Sequence, residues 1–305
     1  MPDFRSALQL FVEDDLIQYV VPIFILALVA EAIWSRVREK DVYHWPDTGA
    51  SLAMLAASAV FEIVPKIAII ALMIECYEIS PLRGVVGHGP WAWVLLFLLD
   101  DFTYYWFHRL NHSVRFFWAG HINHHSSEYL NYGTALRQGV GERIYKLLFW
   151  LWLPLLGFDP GMVLLMMGLN LSYQFWVHTE AVRHLPAWFE AVFNTPSHHR
   201  VHHGSNVRYL DRNHAGMLIV WDKLFGTFSA EAQEEPVAYG LTENLGTTHP
   251  WHVLVHGYSD LWRDLRRATS WRDRSRYLAL APGWSHDGPD KRSETLRAQA
   301  EPQPT

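Results

Sequence analysis

Three histidine groups stand out in the chain: His108-Arg-Leu-Asn-His112, His121-Ile-Asn-His124-His125 and His199-Arg-Val-His202-His203. On a helix, the i,i+4 spacing of the first puts both imidazoles on one face, about 6 Å apart and able to grip one ion. The second and third each hold an i,i+3 and an i,i+4 relation plus an adjacent pair, which can divide between two ions. A lone histidine is more often a satisfied polar residue than a ligand, but three such groups in one chain point to metal. Of the 18 histidines, 11 fall between His108 and His203. Imidazole suits zinc, copper, iron and nickel alike, so ligand type does not choose. Eight or nine candidate ligands exceed what one ion can use, whereas a catalytic zinc takes three protein ligands and a water. Setting favours iron: under lipid-facing helices the substrates offer little but C–H bonds, which zinc cannot oxidise.

The elements that must hold these groups read as a membrane bundle. Leu16 to Trp34 is almost wholly apolar and long enough for a hydrocarbon core of ~30 Å. Acidic residues, not a basic region, precede it, so it reads as an anchor and not a cleaved signal. Arg36, Arg38 and Lys40 follow, which sets that end in the cytoplasm. Thr48 to Ile79 is either one kinked span or a hairpin around Glu62 and Pro65-Lys66. Trp91 to Phe107 is a further span, and Ile144 to Val177 holds two more, broken at Gly157 to Gly161. If Thr48 to Ile79 crosses once, His108 and His178 both return to the cytoplasmic face. The expected fold is therefore all-α: a polytopic transmembrane helical bundle under a histidine-rich cytoplasmic cap.

The domain reading follows: anchor helices at 1–90, a catalytic unit of spans and histidine cap at 91–235, and an amphipathic extension at 236–286. A charged, proline-containing tail at 287–305 is expected to be disordered. In the extension, apolar residues from Trp251 to Leu278 recur at helical spacing among Arg266, Arg267, Arg272 and Arg274. That pattern suits a helix lying on anionic lipid, or one packed on its own domain. Composition agrees with a membrane setting: half the residues are hydrophobic, with 15 Trp, 13 Tyr and 16 Phe. A net charge of −6 gives no footprint for nucleic acid, and the single Cys76 excludes an intramolecular disulfide or cysteine-held cluster.

The order HxxxH, HxxHH, HxxHH resembles the signature of the fatty acid hydroxylase and sterol desaturase superfamily of membrane di-iron enzymes. The flanking blocks Asp101 to Arg109 and Asn213 to Phe228 resemble it too. Gln174-Phe-Trp-Val-His-Thr-Glu180, Asn194 to Gly204, and His124-His-Ser-Ser-Glu128 with Thr134 to Gln138 look like its alkylglycerol monooxygenase branch. The resemblance implies metal ligation by His108, His112, His121, His124, His125, His199, His202 and His203, with His178 completing the shell. It implies two iron ions (for which zinc can stand in within a structure), O₂, and a reductant that is either tetrahydrobiopterin or a partner protein. Asp101, seven residues before His108, could orient an imidazole through its other nitrogen or serve packing alone; Glu128 and Glu180 could act similarly. His198 is expected beside the ligands, and His184, His249, His252, His256 and His286 on the surface.

Two positions depart from the branch: Ser113 stands where it carries glutamate, and His214 where it carries tyrosine. Neither removes a motif histidine. The expected reaction is hydroxylation of a lipid C–H bond. Beside an ether oxygen this yields a hemiacetal that collapses to an aldehyde and a glycerol. Sterol oxidation or desaturation, and hydroxylation of another lipid's headgroup or acyl chain, stay open. A metal transporter would instead need its ionisable ligands deep within the spans.

Overall fold

The computed structural model describes Leu8 and residues 15–300. Among these the secondary structure is helical, with two isolated bridges, Phe193 with Leu218 and Gly204 with Tyr239. The first five helices are α1 (Asp15–Val37), α2 (Trp45–Phe61), α3 (Ile63–Glu78), α4 (Pro90–Ser113) and α5 (Arg115–His125). Next come α6 (Tyr132–Ala135), α7 (Glu142–Leu148), α8 (Trp152–Leu155), α9 (Pro160–Trp176) and α10 (Ala187–Glu190). The rest are α11 (Pro196–His202), α12 (Val220–Leu224), α13 (Pro250–Arg267), α14 (Trp271–Ala279) and α15 (Ser293–Ala300).

Among the described residues, one helix is long and apolar enough to cross a membrane alone, Tyr19–Val37. It turns Tyr19, Ile23, Leu26 and Ile33 outward. The kink expected in Thr48 to Ile79 is there: α2 and α3 meet at 55° and pass the same test only together. At the bend the Glu62 carboxylate is buried, accepting from Ser58 Oγ at 2.7 Å and from the Gly141 amide at 2.8 Å. Pro65, four residues after Phe61, has no N–H for the Phe61 carbonyl, and proline is a recognised cause of a sharp helix bend.

The other expected spans come out differently. Ile144 to Val177 breaks into helices of 7, 4 and 17 residues, and the first two cover only about 1.5 Å per residue. Trp91 to Phe107 lies within the 24-residue α4, which runs on through His112. Its middle is interrupted by Asp100 and Asp101, both buried. Asp100 accepts from Trp150 Nε1 at 2.7 Å and Asn170 Nδ2 at 2.8 Å. Burying a carboxylate is tolerable only with such partners, so the middle of this helix is packed in protein. Around it Met73, Leu96, Phe107, Trp150, Leu153, Phe158 and Val163 form the main apolar core.

The C-terminal extension packs on its own domain, one of the two expected readings. It is two helices, separated where Ser270 Oγ accepts from the Asp273 amide and caps α14. α13 packs on α5, with Gly257 so close to Ala119 that an added Cβ would lie 2.4 Å from its carbonyl oxygen. Residues 293–300 of the tail expected to be disordered form α15, since Ser293 and Arg297 bond back to Asp211 and Leu210. Residues 301–305 lie outside the described residues.

Candidate metal centre

Four local starts aim the histidines. Pro90 at the first turn of α4, with its fixed φ, opens a helix that carries His108 and His112 one turn apart. α5 begins after an extended Val114 and brings His121, His124 and His125. α11, again opened by a proline, ends in His199, His202 and His203. His178 follows α9, its own Nδ1 donating to the Gln174 carbonyl at 2.7 Å.

These nine side chains, all buried, form two groups. One holds His108, His112, His121, His125 and His202; the other holds His124, His178, His199 and His203. Within each, the nitrogens lie within 4.8 Å of one another. The adjacent pairs divide, one to each group. α5 gives its one-turn pair His121 and His125 to the larger group and His124 to the smaller, while α11 and its cap do the reverse.

The tautomers show what these groups lack. A carbonyl oxygen only accepts, so an Nδ1 facing one must carry the proton and leave Nε2 as a bare lone pair. His108 donates to His214 O at 2.9 Å, His124 to Arg137 O at 3.1 Å and His202 to Arg212 O at 2.9 Å. His112 and His121 donate instead to carboxylates, Asp211 Oδ1 at 3.2 Å and Glu142 Oε1 at 3.1 Å. The Nε2 atoms of His124 and His178 nevertheless face each other at 3.1 Å, as do those of His108 and His121. His124 and His178, each donating through Nδ1 to a carbonyl, have no proton to share. Two lone pairs at that separation repel unless a cation lies between them.

A proton does not supply that charge. Burial, and then neighbouring imidazoles, hold His124, His125, His199, His202 and His203 well below the usual imidazole range. Burial also takes His178 down to about 4. Neutral imidazoles are the form that metals bind. Among the nine side chains, the Nε2 atoms of His112, His202 and His203 are buried without a partner. The spacing fits as well. With nitrogens about 2.1 Å from an ion, ligands at right angles stand about 3.0 Å apart and tetrahedral ones about 3.4 Å. Facing Nε2 atoms here stand at 3.1, 3.2, 3.1 and 2.8 Å. The larger group offers five imidazoles, one more than tetrahedral zinc takes.

None of the three carboxylates expected to orient the ligands is found on an imidazole. Asp101 is fully taken up by Met217 N, Leu218 N, Trp221 Nε1 and Asn170 Nδ2, so it clamps α4 to the loop before α12. Glu128 is exposed beside Gly240. Glu180 bonds Tyr239, and burial raises its pKa. The orienting role belongs to Glu142 and Asp211, which nothing in the spacing singled out. Burial pushes the Asp211 carboxyl up, but the hydrogen bond from His112 brings it net below the usual carboxylate range. Among the other histidines, His198 is buried against Phe228, outside both groups. His184, His249 and His252 are exposed as expected. His256 is buried, contrary to expectation, because α13 packs inward. Ser113 is exposed and bonds back to Arg109 O, whereas His214 is buried with its ring 5.0 Å from that of His112. A cavity of about 340 Å³ opens onto His112, His125, His202 and His203, and so touches both groups.

Comparison with known proteins fits this arrangement. The Fatty acid hydroxylase family model matches residues 93–227. The chain is 37% identical to the alkylglycerol monooxygenase of Homo sapiens over 278 residues, 91% of this chain and 61% of the relative. The Danio rerio alkylglycerol monooxygenase is 44% identical over 201 residues, 66% of this chain and 44% of the relative. The Xenopus tropicalis one is 37% identical over 286 residues, 92% of this chain and 62% of the relative. The chain therefore spans less than two thirds of the length of these relatives. No solved structure matches it.

Proposed function

The chain carries a fatty acid hydroxylase domain at residues 93–227, and from that premise we propose a membrane-bound, O₂-dependent lipid hydroxylase whose two histidine groups each hold one iron ion. The observation that carries the reading is the gathering of nine buried imidazoles into a group of five and a group of four, with the unprotonated Nε2 atoms of His124 and His178 facing each other at 3.1 Å. When bound, the ions supply the O₂-activating oxidant that an unactivated C–H bond requires. The chain's own residues orient the imidazoles and present the cavity wall. They also keep bulk water from a centre in which all nine ligand side chains are buried. The balance per turnover is one lipid, O₂, two electrons and two protons giving hydroxylated lipid and water. The electrons come from an external donor, either a pterin or a partner protein.

An alkylglycerol or similar amphiphile is the proposed substrate, hydroxylated near its polar end. The sequence likeness runs to alkylglycerol monooxygenases over most of the chain. The ligands also cluster at helix ends, where headgroup-proximal carbons of a lipid would arrive. The histidine groups and Lys40 are proposed to face the cytoplasm, and reporter fusions after Lys40 and after His203 should read on the same side. Purified protein should carry close to two iron ions per chain and release fatty aldehyde from an alkylglycerol, given a suitable reductant. Full activity with a single zinc would overturn the di-iron reading. An intact ether alongside oxidation of a sterol or aminolipid would overturn the substrate and leave the metal reading standing.

A further inference from the structure

The two groups differ in what stands behind them. Three ligands of the larger group lean on four consecutive residues. His112 donates to the Asp211 carboxylate, His202 to the Arg212 carbonyl and His108 to the His214 carbonyl. The chain manages this because Asp211 and Asn213 both adopt left-handed backbone, at φ of 52° and 57°. Asp and Asn tolerate that region better than other side-chain-bearing residues. The turn is pinned on every side. Asn213 Nδ2 donates to His198 O and Ser229 O, and Asp222 accepts from the amides of His214 and Ala215. Ser293 of α15 donates to the other oxygen of Asp211. A fourth ligand, His121, leans on Glu142, which also accepts from Asn111 Nδ2 at 3.4 Å.

Among the described residues, no carboxylate is found on His124, His178 or His199 of the smaller group. His124 and His178 lean on the neutral carbonyls of Arg137 and Gln174, and His199 Nδ1 is buried without a partner. A carboxylate behind an imidazole raises the basicity of the metal-facing nitrogen and partly offsets the ion's charge. We infer that Asp211 and Glu142 are positioning residues that make the five-histidine group the tight ion site, leaving the four-histidine group labile, so that the ions load and leave in order. This rests on the reading that both groups hold metal.

The test uses metal-free full-length protein in detergent, titrated anaerobically with cobalt(II) and followed by its absorption and by calorimetry. Two binding steps at least about tenfold apart are expected. Asp211→Asn and Glu142→Gln, which keep an acceptor but remove the charge, should each weaken the tighter step by roughly 10–100-fold and leave the weaker one in place. His199→Ala should retain only the tight step and His112→Ala only the weak one. Should Asp211→Asn fail to fold, Ser293→Ala relaxes the same carboxylate from outside and should weaken the tight step by a smaller factor. Coincident steps in the unaltered protein, or carboxylate variants that weaken the looser step, overturn the ordering while metal binding stands. No uptake at all overturns the metal reading with it.

Discussion

The five-histidine and four-histidine groups draw on the same α5 and α11 segments yet are braced by opposite ends of the chain. The larger leans on the 211–214 turn, on α7 and, through Ser293, on the C-terminal α15. The smaller leans on the N-terminal helices. Arg137, whose carbonyl holds His124, is buried in an ion pair with Asp47 of α2 and donates to Ser51 Oγ at 3.2 Å. Asp47 also accepts from Ser127 Oγ at 2.6 Å, two residues after His125. Thr179, the neighbour of His178, donates to Glu31 of α1, which accepts from Tyr43 OH as well. The contrast teaches that the anchor helices are part of the centre's support. Disturbing α1 or α2 should reach the smaller histidine group, and disturbing the 211–214 turn or α15 should reach the larger.

The severest break of this comparison is loss of a ligand. His124→Ala should remove the ion of the smaller group and His202→Ala that of the larger, each taking metal content from two towards one. Both should abolish hydroxylation, a loss beyond the roughly 10–100-fold typical of an outer partner. Elemental analysis alongside turnover checks this, and a variant with full metal and no activity would contradict it.

Next in size is Arg137→Ala. It strands the buried Asp47 carboxylate, a change that costs roughly 3–5 kcal/mol. Unfolding in detergent should show the loss, with metal depletion confined to the smaller group. Glu31→Ala should be milder, about 1–3 kcal/mol for leaving Thr179 and Tyr43 short of an acceptor. Here too the smaller group alone should lose ion, and equal loss from both groups would argue against separate bracing. On the cap side, Gly257→Ala drives a methyl towards the Ala119 carbonyl and should cost about 1–3 kcal/mol by overpacking. Its effect should fall on His121 and His125, carried by the α5 that it pushes. Least of all, Ser113→Glu restores the charge found in the related branch at an exposed position and should move stability by less than about 0.5 kcal/mol. Metal content should not change.

What the sequence determined is what helical geometry writes locally. Residues one turn apart share a face, so His108 and His112 were legible as one face, while His121 and His199 could each pair at i+3 or at i+4. The apolar run of α1 was equally plain, because a helix that turns its side chains outward needs no partner to be recognised. Hydropathy failed where burial in protein imitates burial in lipid. The stretch Ile144 to Val177 is largely apolar, yet its first half is two short turns packed on α4 and α3. Tertiary structure alone decided which member of each adjacent pair joined which group, because a 100° step around a helix acquires meaning only once the neighbours are placed. It also chose the supporting groups. Backbone carbonyls such as Arg212 O and Arg137 O leave no mark in a sequence, since every residue has one. Glu142 lies 21 residues from His121 and Asp211 lies 99 from His112, distances that only folding closes.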